Sequence, residues 1–419
     1  MKRLRINRWT ALAAGLLALA VACGGAGPTA AQTGAATQSG TPEGSAVAPQ
    51  SVPDLDRSIH SVPLADILFD TFGRTRARFV PLSEISDELQ TGLRDAIMPV
   101  GRPAYGGSDA LPWLTDDDLI IGYESGAEAF AFPIKVLNFH EIVNDTIGGV
   151  PVLITYCPLC FSGVVFSRDV GGETLTFGNT SALYQSDLVM YDHQTGSYWF
   201  QVAGEAVVGT LTGSRLKPLP SATMPWGDWK GLHPGTLLIT GTEGRRSLFT
   251  AARYASGFGA GYQDRINRGQ FAFPVDEDKL DGRLSAGEIV LTVETGGRVT
   301  AFPLGVIGDG AVNAEVGGLP IVVFTTSGGR SVGAFSRSPS PGPPASGAIG
   351  GQALTFDYRE EDGAFVDRET GSTWDFAGRA QDGPLTGSRL DRVSTRRSLW
   401  FAVAIAFPDI EIYNPKTNR

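Results

Sequence analysis

Apolar and polar positions along this chain fall into short runs rather than long amphipathic stretches. Leu119–Tyr123, Pro151–Tyr156, Val164–Ser167, Thr174–Phe177 and Leu237–Ile239 are each a few residues of apolar or alternating character. Gly-Gly pairs or Asp-rich turns separate them, and that period and spacing predict β-strands joined by tight connections. Asn144-Asp145 ahead of Gly148-Gly149 reads as one such turn, closing a hairpin or a longer loop. A helical period is clear in one place, about residues 84–97, where Ile85, Leu89 and Leu93 share a face. The pattern predicts a mainly β fold, a β-rich α+β arrangement with few short helices.

Laid against itself, the chain repeats. Thr115–Glu124 matches Ser285–Glu294, Ala131-Phe132-Pro133 recurs as Ala301-Phe302-Pro303, and Gly148–Val152 as Gly317–Ile321. Phe166–Arg168 pairs with Phe335–Arg337, Leu175–Phe177 with Leu354–Phe356, and Thr195–Trp199 with Thr370–Trp374, while Leu211–Leu216 reappears unchanged at Leu385–Leu390. Two related β units follow, residues 98–241 and 272–413, separated by a connector at 242–271 and preceded by a lead-in at 56–97 that carries the helix. The second unit holds an insertion from Ser338 onward, a loop by its Pro and Ser content. Two such units are expected to pack about a pseudo-two-fold axis, the second serving as scaffold.

The N-terminal residues change the expected compartment. Lys2, Arg3, Arg5 and Arg8 precede the apolar run Ala11–Ala22, which is too short to cross a bilayer as a helix and reads as an export signal over residues 1–22. Leu19-Ala20-Val21-Ala22-Cys23-Gly24 is similar to a bacterial lipobox, making Cys23 the lipid attachment site; ordinary cleavage that discards Cys23 is the alternative. Residues 23–55 are rich in Gly, Ala, Thr, Ser, Gln and Pro, too poor in apolar side chains to offset their ordering entropy, and are expected to form a flexible tether. The reading is an exported protein anchored by lipid to the extracytoplasmic side of the cell membrane. The net charge is −10 and no basic cluster follows the signal, which argues against nucleic acid as a partner. With 54 Gly, 26 Pro and 19 % charged residues among 419, the chain is turn-rich, in keeping with the strand pattern.

Candidate chemistry concentrates in the first unit. Once Cys23 is set aside, the only thiols are those of Cys157-Pro158-Leu159-Cys160, and the second unit has Thr326 and Gly329 at those places. His140 and His233 have no counterparts there either. Two thiolates with His140 and His233 suit a soft metal, copper(I) or zinc, and this is the leading reading. The same pair also suits a thiol–disulfide oxidoreductase with Cys157 attacking, or a fixed disulfide in a non-enzymatic binding module. Phe161–Ser167 reads as turn then strand, so the thioredoxin-like arrangement, in which the first cysteine opens a helix, is not expected.

A simple hairpin places His140 about 13 Å of strand rise away from Cys157, and only a helix or bulge over 136–142 closes that gap. His140 is therefore read equally as a core histidine or an acid–base group, His233 as structural or a ligand, and His60 and His193 as solvated. Glu141, beside His140, is a further acid–base candidate. Asp116-Asp117-Asp118 suits either a solvated turn or calcium, and Asp192 and Asp367, each three residues before a Thr-Gly-Ser, read as turn scaffolds. No phosphate-cradling loop, dinucleotide fingerprint or nucleophile elbow is present.

Several segments together resemble a bacterial family known as domain of unknown function 3179. They are Trp113–Leu119, Phe139-His-Glu-Ile-Val-Asn-Asp145, Tyr156-Cys-Pro-Leu-Cys160, Ser186–Asp192, Thr195–Trp199, Gly204-Glu-Ala206 and Trp229–Pro234. Phe139 stands where the family usually has Trp, and Phe161 where a small or polar residue is common. The resemblance implies an exported or membrane-associated protein with a His-Glu and Cys-Pro-Leu-Cys signature, and it implies no activity.

Overall fold

The computed structural model describes residues 52–242, Phe249, Tyr254, 261–340 and 352–415. The expected export signal, Cys23 and the tether up to residue 51 lie outside the described residues. The described chain is mainly β, as the strand pattern predicts.

The first stretch runs β1 (Leu119–Ser125), β2 (Glu128–Pro133), α1 (Ile134–His140), β3 (Ile142–Ile147), β4 (Val150–Cys157) and β5 (Ser162–Ser167). It continues with β6 (Phe177–Tyr184), β7 (Asp187–Asp192), β8 (Tyr198–Phe200), β9 (Glu205–Val208), β10 (Ala222–Pro225), α2 (Trp226–Leu232) and β11 (Leu237–Thr242). The second stretch runs β12 (Ile289–Thr295), β13 (Arg298–Pro303), α3 (Leu304–Ile307), β14 (Gly310–Val316), β15 (Leu319–Thr326) and β16 (Ser331–Ser340). It closes with β17 (Phe356–Arg359), β18 (Ala364–Asp367), β19 (Thr373–Trp374), β20 (Ala380–Asp382), β21 (Thr395–Leu399), α4 (Trp400–Ala406) and β22 (Glu411–Ile412). These elements follow the same order in both stretches, while the first also carries a hairpin of Asp169–Val170 with Glu173–Thr174 and the second an additional strand, Arg389–Val393.

Neither stretch keeps its strands to itself. One large sheet contains the order β11-β2-β1-β10-β16-β15-β14, and the other β22-β13-β12-β21-β5-β4-β3. Each therefore takes four strands from one stretch and three from the other, and the joins are Thr223 opposite Val332 and Arg397 opposite Gly163. Two ion-pair sets cross between the stretches in reciprocal fashion. Glu124 at the end of β1 meets Arg389 at 2.6 Å and Arg392 at 3.3 Å of the second stretch, while Glu294 at the end of β12 meets Arg215 of the first at 3.5 Å, besides Arg396 of its own stretch at 2.8 Å. Strands β6–β9, extended by the lead-in strands Ile67–Asp70 and Phe79–Pro81, form one smaller antiparallel sheet, and β17–β20 form another. In each, a buried aspartate accepts from a threonine N–H at 2.6 Å and a tryptophan indole at 2.9 Å (Asp192 with Thr195 and Trp199, Asp367 with Thr370 and Trp374), so both act as turn scaffolds.

Local sequence explains the connections. Ile147 pairs with Val150 across Gly148 and Gly149, whose φ values of 57° and 79° are the left-handed pair that a two-residue hairpin turn requires. The turn is thus Gly-Gly, and Asn144 and Asp145 lie within β3 rather than in the turn. Asn144 instead binds both backbone groups of Phe177, donating to its carbonyl and accepting from its N–H at 2.8 Å each. The predicted helix at 84–97 is shorter, Asp87–Leu93, because Arg94 adopts extended geometry and Asp95 turns left-handed. Ser338–Ser340, expected as loop, prolong β16, with Pro339 opposite Leu390 and Ser340 opposite Arg389. No helix among the described residues is long and apolar enough to cross a membrane.

Asn144→Ala removes both partners of a buried backbone amide. It is expected to lower unfolding stability by about 2 kcal/mol, the cost of orphaning such groups, read by urea denaturation; an unchanged midpoint contradicts the role.

Candidate functional site

The two cysteines sit at the tip of the β4–β5 hairpin. Cys157 ends β4 opposite Ser162, the first residue of β5, and Pro158–Phe161 make the connection. Turn followed by strand is the order predicted from Phe161–Ser167. Phe161 takes a left-handed φ of 52° to close it. The second stretch fixes the tip: Leu399 N–H and Ser398 Oγ both donate to the Cys160 carbonyl, at 2.8 and 3.0 Å. Tyr262 hydroxyl donates to the Leu159 carbonyl at 2.8 Å.

Both thiols are free and buried, Cys157 1 % exposed and Cys160 0 %. The Cys160 thiol donates to Asp187 Oδ1 at 2.7 Å, and one donor atom each from Cys157, Cys160 and Asp187 lie within 4.8 Å of one another. Asp187 opens β7 after the two-residue turn Gln185-Ser186, both left-handed at φ 51° and 65°. Such turns favour Asn and Gly, so placing this carboxylate holds two ordinary side chains in a costly backbone conformation. A buried polar network supports the group. Asp187 Oδ2 accepts from Val202 N–H at 2.9 Å, Ser162 Oγ donates to Gln201 Oε1 at 2.6 Å, and Gln201 Nε2 donates to Thr155 Oγ1 at 2.7 Å.

The electrostatics are those of acids without a counter-charge. Burial pushes both thiols up, Cys160 well above the usual thiol range. Burial also raises the Asp187 carboxyl to about 6 and the Glu141 carboxyl to about 8, the latter held back by a 2.6 Å hydrogen bond from Asn179. Glu141 caps α1 in a left-handed conformation (φ 56°), which turns the chain from helix into β3.

The histidines go elsewhere. A helix does form over 134–140, but it carries His140 away from the thiols: Nδ1 meets the Met98 carbonyl at 2.8 Å and Nε2 the Tyr254 hydroxyl at 3.0 Å. Both ring nitrogens are thereby engaged, and His140 is a satisfied core histidine. His233 caps α2 against the Trp229 ring, with Nε2 3.9 Å from Glu124. The structure thus brings Asp187, rather than His140 or His233, beside the two cysteines. The signal for Asp187 is an acid directly ahead of the apolar run Leu188–Tyr191. His60 is exposed, as expected, whereas His193 is half-buried and stacked 5.2 Å from Tyr191. Asp116, Asp117 and Asp118 each pair with a different cation, Lys230, Arg330 and Lys135, which leaves no acidic cluster for calcium.

Fold and site together define a β-rich protein with interleaved sheets and a buried dithiol–carboxylate group. The chain belongs to the family described as Protein of unknown function (DUF3179), whose model matches residues 94–410, a span that includes the thiols and every strand of the two large sheets except β22. No curated protein and no solved structure matches it.

Asp187 and Glu141 bind protons more tightly in the folded state than at their ordinary values of 3.8 and 4.5. In metal-free protein they therefore favour folding at low pH, and this contribution is lost as pH rises through the folded values of about 6 and about 8. Thermal melts of chelator-treated protein should show Asp187→Asn and Glu141→Gln each flattening that loss; profiles parallel to wild type refute the assignment.

Proposed function

We propose that this is an exported, lipid-anchored cell-envelope protein that holds one metal ion, zinc by preference, through Cys157, Cys160 and Asp187. The observation that carries the reading is the enclosed set of two sulfurs and one carboxylate oxygen within 4.8 Å of one another. Sulfur and oxygen donors of this kind fill three positions of a tetrahedral zinc site. The carboxylate moves the preference from copper(I), which favours sulfur alone, toward zinc. A cation among these acids reverses the burial effect: it stabilises thiolate and carboxylate where an apolar interior otherwise keeps them protonated. On tetrahedral zinc a sulfur and an oxygen lie about 3.6 Å apart, so Cys160 and Asp187, now 2.7 Å apart, separate by about 1 Å as their shared proton leaves. The basic start, the short apolar run and Cys23 support the export and anchoring part of the reading.

A second reading, thiol–disulfide exchange, is favoured by the Cys160–Asp187 hydrogen bond, since a buried carboxylate can take the thiol proton. It is disfavoured by the burial of both sulfurs, because an attacking thiol needs access and a lowered pKa.

Elemental analysis on protein purified anaerobically is expected to give near one zinc per chain. Cys157→Ser, Cys160→Ser and Asp187→Asn should each lose it, while His140→Ala and His233→Ala retain it. Full occupancy in Asp187→Asn, or a metal-free wild type whose cysteines titrate only after reduction, overturns the metal site in favour of a disulfide.

A further inference from the structure

Beside the thiol turn lies a cavity of about 360 Å³, walled by Tyr156 and Phe161, the residues on either side of Cys157–Cys160, together with Leu119, Ile134 and Ile289. That volume is within the range of small-molecule sites. Its polar lining is unevenly satisfied. Lys135 pairs with Asp118 at 2.7 Å and Arg330 with Asp117 at 3.1 Å. Arg397, the third cation on the wall, has no ion pair or side-chain hydrogen bond among the described residues, and its Nε is buried without a partner. Asn138 Oδ1, also on the wall, is buried with no donor. The cavity thus carries three cations against two carboxylates, a surplus of one positive charge.

The fold gives no reason for this guanidinium. Arg397 lies in mid-sheet, between Leu291 of β12 and Gly163 of β5. Its neighbour Arg396 is fully buried and has Glu294 as its partner at 2.8 Å. At the corresponding join of the other sheet stands Thr223, opposite Val332. Leaving a partly buried charge unpaired is costly, and a protein interior ordinarily pairs it or replaces it.

We propose that this cavity binds a small organic monoanion: a carboxylate received by the Arg397 guanidinium, with a neighbouring hydroxyl or amine donating to Asn138 Oδ1 and an apolar body against Phe161 and Ile289. The guanidinium fork matches a carboxylate with two parallel hydrogen bonds. A single surplus charge matches a carboxylate better than a phosphate monoester, which carries close to two negative charges. The proposal stands independently of any metal at Cys157 and Cys160.

Isothermal titration calorimetry on the full chain, with and without chelator, tests it using mandelate, benzoate, phenyl phosphate and benzyl alcohol. Mandelate is expected to bind at one site in both conditions, and benzyl alcohol not at all. Arg397→Met should weaken mandelate roughly tenfold or more, with Arg397→Lys intermediate. Asn138→Leu should weaken mandelate while leaving benzoate unchanged, because benzoate lacks the donor. Arg397→Met should also melt no lower than wild type, since it removes an unpaired charge, whereas a structural role for Arg397 predicts a lower melting temperature. Absence of mandelate and benzoate binding, equal affinity in Arg397→Met, or phenyl phosphate binding more tightly than mandelate overturns the proposal.

Discussion

The structure depends on the pairing of backbone groups at two joins, β10 with β16 and β21 with β5. A strand buried in the middle of a sheet must find partners on both sides, because an unpaired amide away from water is expensive and an open edge invites foreign strands. Each stretch, folded alone, leaves an edge bare at both joins, and the other stretch covers them. The ion pairs Glu124–Arg389 and Glu294–Arg215 also link the two stretches, in reciprocal fashion.

The thiol site inherits this arrangement. Its sulfurs come from the β4–β5 tip, its carboxylate from β7 in one of the smaller sheets, and the clamp on the Cys160 carbonyl from β21. Two sheets thus converge on one small buried volume, and several of the residues that bring them there, Glu141, Phe161, Gln185 and Ser186, hold left-handed backbone conformations. Strain of this kind persists only where surrounding structure enforces it, and it collects where geometry serves chemistry. The same volume holds acids without cations, whereas the adjoining cavity holds a cation without an acid. The two environments are complementary in charge and share the wall formed by Tyr156 and Phe161.

What the sequence made legible follows the range of the interactions involved. Strands β1, β4 and β5, and the turn that carries the thiols, are set by neighbours within about ten residues, and their apolar runs and glycines announced them. The Gly148-Gly149 turn was misplaced by a few residues because Asn-Asp is also turn-forming; glycine won, as both positions need positive φ. His140 was judged on a hairpin geometry, yet one helical turn ending in a left-handed Glu141 aims it at Met98 and Tyr254 instead. Asp187 reaches Cys160 across 27 residues and between two sheets, a contact that no local spacing encodes. Arg397 is more remote still, since its isolation appears only when every potential partner has been placed. Long-range pairing is therefore the part of the site that sequence patterns left open.

The clamp on Cys160 also sets an order of events. Its donors, Ser398 and Leu399, lie almost at the end of the chain, Ser398 being 238 residues beyond the cysteine. A chain that emerges from its N-terminus presents Cys157 and Cys160 long before β21 exists to cover them. Until then the two sulfurs are open to whatever metal or oxidant the surroundings offer. Docking of the last strands then closes the compartment over its contents, so the state of the thiols in the finished protein records the chemistry met during its assembly.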